Sequence, residues 1–409
     1  MRLGRTIYVS NHPSSFMDPL VIAALNRPIV FFMTRSDVFT PLLKPILWAS
    51  HMIPIYRQQD GGDTKEQNSS TFRAATKALK SGRNLLIFGE GLTDDVFIRR
   101  LKPIKKGAVR MGFAALEDFN WEKKVHIAAV GNNYSDPSKM RSQLLIAYGE
   151  RICLNDFRES YQANPAKVVN ELTARIEKDM QAQITHVENK DWSEFHEQIM
   201  SITRKGMNNE SYDPSISLEN RWDYSRKLAI WLNAKNELNA ELLSLKDDLN
   251  SYFRLLKKLK VSDELLFQKI DKKQLSRLGE VLSMVILFFP GVLGFIHCAP
   301  IYFPVKNFIE KKFKRKVFWG SSKLVMGMIA MGLLNIPYIF LFHAFVYESW
   351  LVGFAYYWCI GLLGWAAYTW FLALKSFKEK GQMNKADTSS LESRRIALAA
   401  KIEHLVDLN

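Results

Sequence analysis

Acidic charge and cysteine are the scarce ingredients of this chain. Only 41 Asp and Glu stand against 56 Lys and Arg in 409 residues, a net charge of +15. That excess favours phosphate-bearing partners: nucleic acid, anionic membrane or a phosphorylated small molecule. The three cysteines, Cys153, Cys298 and Cys359, are odd in number and far apart. They suggest neither a disulfide framework nor a zinc site, and a reducing compartment fits them best. No signal peptide is visible, because the basic start leads straight into a strand-like run. No aromatic-basic RNA motif appears, and the basic residues cluster beside apolar runs rather than on one soluble face. Nucleic acid is therefore not an expected partner.

The chain is long enough for two or three structural units. Over 1–153, strand-like runs (6–10, 29–33, 52–56, 85–88, 125–130 and 144–147) alternate with helix-patterned stretches (16–25, 42–50, 70–80 and 108–117). This predicts an α/β layer structure around one sheet. From 154 to 275 the strand signal is gone. Val168, Leu172, Ile176 and Met180 recur at helical spacing after Pro165. Leu238, Leu242, Leu245, Leu249, Tyr252, Leu256 and Leu259 form a heptad-like seam. That seam fits either self-association through 238–259 or an amphipathic helix packed on its own chain. The polar stretch 206–214 reads as a boundary between helical pieces.

The last third reads as membrane. Runs 324–347 and 351–374 carry no Asp, Glu, Lys or Arg. Each exceeds the ~20 residues that span a bilayer. They form an expected transmembrane hairpin within 306–376, followed by a helical tail, 377–409. Lys311, Lys312, Lys314, Arg315, Lys316 and Lys323 precede it, and Lys375, Lys378 and Lys380 follow it. The positive-inside rule places both ends in the cytoplasm. A third apolar run, 281–303 within a segment 276–305, is interrupted by Pro290-Gly291 and Pro300 and is basic on both flanks. The flanks favour a re-entrant hairpin turning at Pro290-Gly291. A kinked span is the rival reading, since proline is tolerated in membrane helices.

The stretch from Asn11 to Asp18 reads NHPSSFMD. A carboxylate that bonds one imidazole nitrogen fixes the tautomer and leaves the other free to take a proton from a hydroxyl. His12 and Asp18 can form such a dyad, needing neither a metal nor a nucleophilic side chain. Residues six apart point to different faces of a straight helix. The pair therefore meets only if Pro13-Ser14-Ser15 bend the chain before the next helix begins. A plain strand-turn-helix junction is the alternative.

Three further segments sit at strand ends. Leu85–Gly91 places Glu90 between Gly89 and Gly91, where glycines allow close approach of a ligand or the backbone. A basic loop (Arg99, Arg100, Lys102, Lys105 and Lys106) then feeds a helix start, a suitable phosphate site. Strand 52–56 runs into Arg57, whose paired donors can clamp a phosphate.

Taken together and in this order, these segments resemble the four blocks of the glycerolipid acyltransferase family, the lysophosphatidate and glycerol-3-phosphate acyltransferases. Asn11-His12 through Asp18-Pro19 resembles the first block and Ile53–Arg57 the second. Phe88–Gly91, continued by 101–107, resembles the third, and Ala129–Tyr134 the fourth. The likeness covers roughly the first 150 residues. Five residues separate His12 from Asp18 where the commonest pattern has four. Gly89 and Ala129 stand where prolines are usual, and Thr93 and Asp94 where arginine and serine are common. Relatives usually carry a membrane-docking helical segment ahead of the first block. Here docking has either moved to the C-terminal hairpins or the start is placed too late.

The resemblance implies an acyltransferase-type mixed sheet flanked by helices, and a membrane enzyme with its core on the cytoplasmic face. It implies acyl transfer from a thioester of coenzyme A or acyl carrier protein to 1-acyl-glycerol 3-phosphate, or alternatively to glycerol 3-phosphate, in phospholipid synthesis. His12 is then the general base and Asp18 its orienting anion. Arg57 and Lys105 hold phosphate. Glu90, beside Gly91, bonds glycerol hydroxyls or orders the phosphate arginine. No cofactor beyond the thioester co-substrate is expected, and anionic lipid is an expected partner. A reading of a different class stays open: a non-catalytic membrane scaffold with the heptad helix as its partner surface.

Overall fold

The computed structural model describes residues 4–15, 17–41, 43–56, 64–91, 97–272 and 275–408, with the backbone alone for 64–67. The chain divides into two compact units, Met1–Ser193 with Leu218–Asn233, and Glu194–Ser217 with Ala234–Asn409.

The first unit is built on strands β1 (Thr6–Ser10), β2 (Val30–Arg35), β3 (Met52–Ile55), β4 (Asn84–Phe88), β5 (His126–Tyr134), β6 (Leu144–Tyr148) and β7 (Ile152–Cys153). The order is β3-β2-β4-β1-β5-β6, with β7 also on β5. The pairs from β3 to β5 are parallel, while β6 and β7 run antiparallel to β5. Strand β1 is buried along its whole length. Its apolar residues face both ways, as parallel sheets require. Ile7 and Val9 join the core on one face, and Tyr8 joins a second cluster on the other.

Helices α1 (Met17–Leu25), α2 (Lys44–Ala49), α3 (Thr64–Lys80) and α4 (Gly107–Asp118) connect the parallel strands. From β1 to β2 to β3 the chain steps one way across the sheet; from β3 to β4 and from β4 to β5 it steps back. Right-handed crossovers therefore put α1 and α2 on one face and α3 and α4 on the other. After α5 (Arg158–Ala163), helix α6 (Pro165–Gln183) lays Val168, Leu172, Ile176 and Met180 into the α3–α4 core. The boundary expected at 153 thus falls too early. The apolar stripe after Pro165 is not the start of a separate helical region; it covers the sheet. The segment that returns to this unit, α8 (Leu218–Asn233), is held by Arg221, which donates to Gln143 at 2.6 Å beside β6.

In the second unit, α7 (Ser193–Thr203) precedes α9 (Ala240–Leu259), α10 (Asp263–Lys272), α11 (Leu278–Ile286), α12 (Phe288–Lys312), α13 (Trp319–Leu334), α14 (Pro337–Phe345), α15 (Trp350–Lys385) and α16 (Ser389–Leu405). The heptad-like seam lies on α9. Leu242, Leu245, Leu249, Tyr252 and Leu256 are buried, whereas Leu259 is exposed. Helix α16 packs on α9, and Lys401 pairs with Asp248 at 2.7 Å. The stripe is therefore covered by its own chain. Arg395 of α16 grips Asp263 through Nε at 3.0 Å and Nη2 at 3.1 Å, and the Tyr252 hydroxyl donates to the same carboxylate at 2.6 Å.

Among the described residues, three helical segments are long and apolar enough to cross a membrane: Phe288–Lys312, Lys316–Phe345 and Trp350–Lys385. The expected re-entrant turn at Pro290-Gly291 is not there. The helix breaks earlier, at Leu287, and α12 runs unbroken through both residues. Proline in a first helical turn sacrifices no intrahelical bond, because those N–H groups have no partner anyway. Helix α12 then packs tightly on α15. A Cβ on Gly294 would lie 1.9 Å from the Leu363 carbonyl oxygen, so only glycine permits this approach. The run expected to be continuous over 324–347 divides instead at Asn335-Ile336, ahead of Pro337.

Candidate active site

The end of β1 is fixed before the dyad begins. Asn11 is buried, and its side chain imitates a sheet ladder toward β5. The Asn132 N–H donates to Asn11 Oδ1 at 2.7 Å, and Asn11 Nδ2 returns a bond to the Asn132 carbonyl at 3.0 Å. The chain then bends through Pro13-Ser14-Ser15. Ser15 adopts the left-handed conformation, with φ 49°. The Met17 N–H closes the turn on the Ser14 carbonyl at 3.1 Å. This bend brings Asp18, in the first turn of α1, back under His12.

Asp18 is 0% exposed. Its Oδ2 lies 2.9 Å from His12 Nδ1 and accepts the Ser14 N–H at 2.8 Å. The dyad expected from the sequence is assembled. The His12 ring stacks on Phe88 at the end of β4, with centroids 3.9 Å apart and planes at 18°. One nitrogen is tied to the carboxylate and one ring face is covered. The tautomer with the hydrogen on Nδ1 leaves Nε2 as the basic atom.

The five-residue spacer makes Ser15 a test of this geometry. A β-branched residue in the left-handed region costs about 1–2 kcal/mol, whereas glycine adopts it freely. Ser15→Gly is expected to retain activity and thermal stability, and Ser15→Val to lose both. Thermal unfolding and transfer assays on the two variants check this.

The β4 end supplies the second part. Glu90 Oε1 accepts the His12 N–H at 3.3 Å, and Oε2 accepts the Lys102 N–H at 3.4 Å. Burial pushes its carboxyl up to about 7, against the weaker opposing effect of those two N–H groups. Gly91 follows at φ 71°, a conformation that excludes most side chains. A histidine base, its buried anion and a carboxyl gathered at the carboxyl ends of two adjacent parallel strands form a constellation suited to deprotonating a hydroxyl.

Residues 2–131 match the family model Acyltransferase. This part of the chain is an acyltransferase-family domain. No curated protein and no solved structure matches the chain.

In the acyltransferase domain Lys105 is exposed, and its N–H bonds the Gly89 carbonyl at 2.9 Å. A Cβ on Gly91 would sit 3.9 Å from Lys105 Cγ, so the lysine stem passes beside the Glu90 turn. Arg57, the other expected phosphate ligand, lies outside the described residues, as do Thr93 and Asp94. Arg99, part of the expected basic loop, is buried. It donates to the carbonyls of Tyr134 at 2.8 Å and Ser135 at 3.1 Å, and so anchors the loop to the end of β5.

Two participants carried no sequence signal of their role. Phe88 stood inside the third block, but its period-two position gives only a sheet face, not the ring it supports. Tyr134 ends the fourth block. Its hydroxyl is buried beside Asp18, and among the described residues neither it nor Asp18 Oδ1 has a hydrogen-bond partner. Burial first, and then the Asp18 charge, hold this phenol well above its ordinary pKa. It remains a proton donor facing the anion.

Proposed function

We propose that this protein is a membrane acyltransferase that moves a fatty acyl group from a thioester, carried by coenzyme A or acyl carrier protein, to a hydroxyl of 1-acyl-glycerol 3-phosphate. The observation that supports this best is the 2.9 Å contact between His12 Nδ1 and Asp18 Oδ2 inside an acyltransferase-family domain. His12 Nε2 takes the hydroxyl proton as the acceptor oxygen attacks the thioester carbonyl. The new C–O bond forms, the C–S bond breaks, and the proton passes from His12 to the departing thiolate. Asp18 stabilises the imidazolium between these steps. No acyl-enzyme is needed. Arg57 and Lys105 are the proposed phosphate ligands, with Glu90 and Gly91 shaping the acceptor side. Glycerol 3-phosphate is the alternative acceptor.

The apolar helices of the second unit suit a product that partitions into lipid. The basic clusters around 311–323 and 375–380 support a multi-pass arrangement with the catalytic core on the cytoplasmic face. Purified full chain assayed side by side with both acceptors and both donors tests the reading. Phosphatidate from the monoacylated acceptor is the expected product. Lysophosphatidate from glycerol 3-phosphate alone would replace the first acceptor by the second. Absence of transfer to either acceptor would return the scaffold reading.

A further inference from the structure

The two faces of the first unit's sheet are unequally covered. Helices α3, α4 and α6 bury one face under a large core. The face with α1 and α2 has only a small cluster around Tyr8, Ile22, Phe32 and Val130. Helix α2 reads KPILWA and none of its residues is buried. Helix α1 buries Asp18 and Ile22 but turns other apolar residues outward. Leu20, Leu25, Ile29, Leu43, Ile46 and Trp48 are all at least 40% exposed. A soluble surface seldom gathers apolar side chains this way without a partner.

Basic residues accompany them. Arg27 and Lys44 are exposed within the same stretch of chain. A cleft of about 490 Å³ beside α1 continues the surface toward β6, with Val21, Leu25 and Ile146 among its walls and Arg27 and Arg151 lining it as well. An exposed tryptophan beside aliphatic residues and cations is the composition of a segment lying at a lipid–water boundary. Among the described residues the same chain carries three helical segments long and apolar enough to cross a bilayer, so a lipid surface is a partner this chain can meet.

We propose that the α1–α2 face of the acyltransferase domain docks directly onto an anionic lipid leaflet, with Ile46 and Trp48 entering it and Arg27 and Lys44 meeting headgroup phosphates. Docking there brings α1, whose first turn holds Asp18, against the leaflet from which a lipid-borne acceptor arrives. The inference concerns a surface and stands whether or not the acceptor assignment does.

The test is photocrosslinking of the full chain reconstituted into phosphatidylcholine vesicles doped with phosphatidylglycerol. A benzophenone amino acid replaces Ile46 or Trp48, one at a time, with Arg110 on the α4 face as control. Lipid adducts at 46 and 48 are expected at about tenfold the yield at 110, falling when phosphatidylglycerol is omitted. Adducts to a second copy or to another segment of the same chain would overturn the proposal. So would adduct yields equal to the control. Yields indifferent to phosphatidylglycerol would overturn its anionic part. The readout is independent of catalysis, so failed transfer activity and failed docking are separately visible.

Discussion

His12→Ala is expected to slow acyl transfer by about 10²–10⁴-fold, the usual contribution of a positioned general base. The loss should fall on kcat, with the KM for acceptor little changed, because the imidazole acts on the proton in flight rather than holding the phosphate. Asp18 permits a finer dissection. Its Oδ2 serves both His12 Nδ1 and the Ser14 N–H. In Asp18→Asn the amide oxygen can occupy that position and accept both bonds, so geometry survives and only the negative charge is lost. A hydrogen bond to a charged group contributes about 1.5–3 kcal/mol, so roughly 10–150-fold is expected from that change alone. Asp18→Ala removes charge and orientation together and should be worse. Residues acting as one unit are not additive. The double variant His12→Ala, Asp18→Ala should therefore be no slower than His12→Ala. Steady-state kinetics on all four variants, with circular dichroism to confirm folding, check the series. Full multiplicative losses in the double variant, or activity surviving both single alanine changes, would remove the dyad from the mechanism.

What the residue string revealed and what it hid divide along physical lines. Strand β1 was legible to the residue because a buried parallel strand is a continuous apolar run between turn formers. The pairing of His12 with Asp18 was legible as chemistry but not as geometry. It depends on a left-handed Ser15, and serine carries no marker for that conformation as glycine would. Glu90 was legible as a carboxyl between glycines. Its anchoring of His12 was not, since the contact joins two strand ends 78 positions apart in the chain. The loss of strand signal at 153 was real, yet the apolar stripe of α6 belongs to the sheet. A helical period shows that a face will be buried and does not name what buries it. The α9 seam teaches the same lesson, because α16, far along the chain, supplies its cover. Proline misled in the apolar region for a local reason. Pro290 falls in a first helical turn, where it breaks nothing.

Glu90→Gln is expected to reverse its stability relative to the natural protein as pH rises. The Glu90 carboxyl is pushed from an ordinary 4.5 to about 7 in the folded state, chiefly by burial. Because the folded pKa lies above the unfolded one, the folded protein holds the extra proton between these values. Stability therefore falls as pH climbs from about 4.5 to about 7 and is level above. The full span corresponds to about 3 kcal/mol. Glutamine has no ionisation and shows none of this slope. It carries a different, pH-independent cost. Its amide nitrogen cannot accept a hydrogen bond, so either the His12 or the Lys102 N–H loses its acceptor, at about 1–3 kcal/mol. The variant should thus be the less stable protein in acid and should gain steadily on the natural one up to neutrality. Thermal unfolding midpoints of both proteins in one detergent across that pH range provide the measurement. Parallel curves would show that Glu90 titrates as an ordinary solvated carboxyl. Because the same side chain receives the His12 N–H, its charge state also bears on the backbone that carries the base. The Glu90→Gln variant should then lose transfer activity even at the pH where its stability overtakes that of the natural protein.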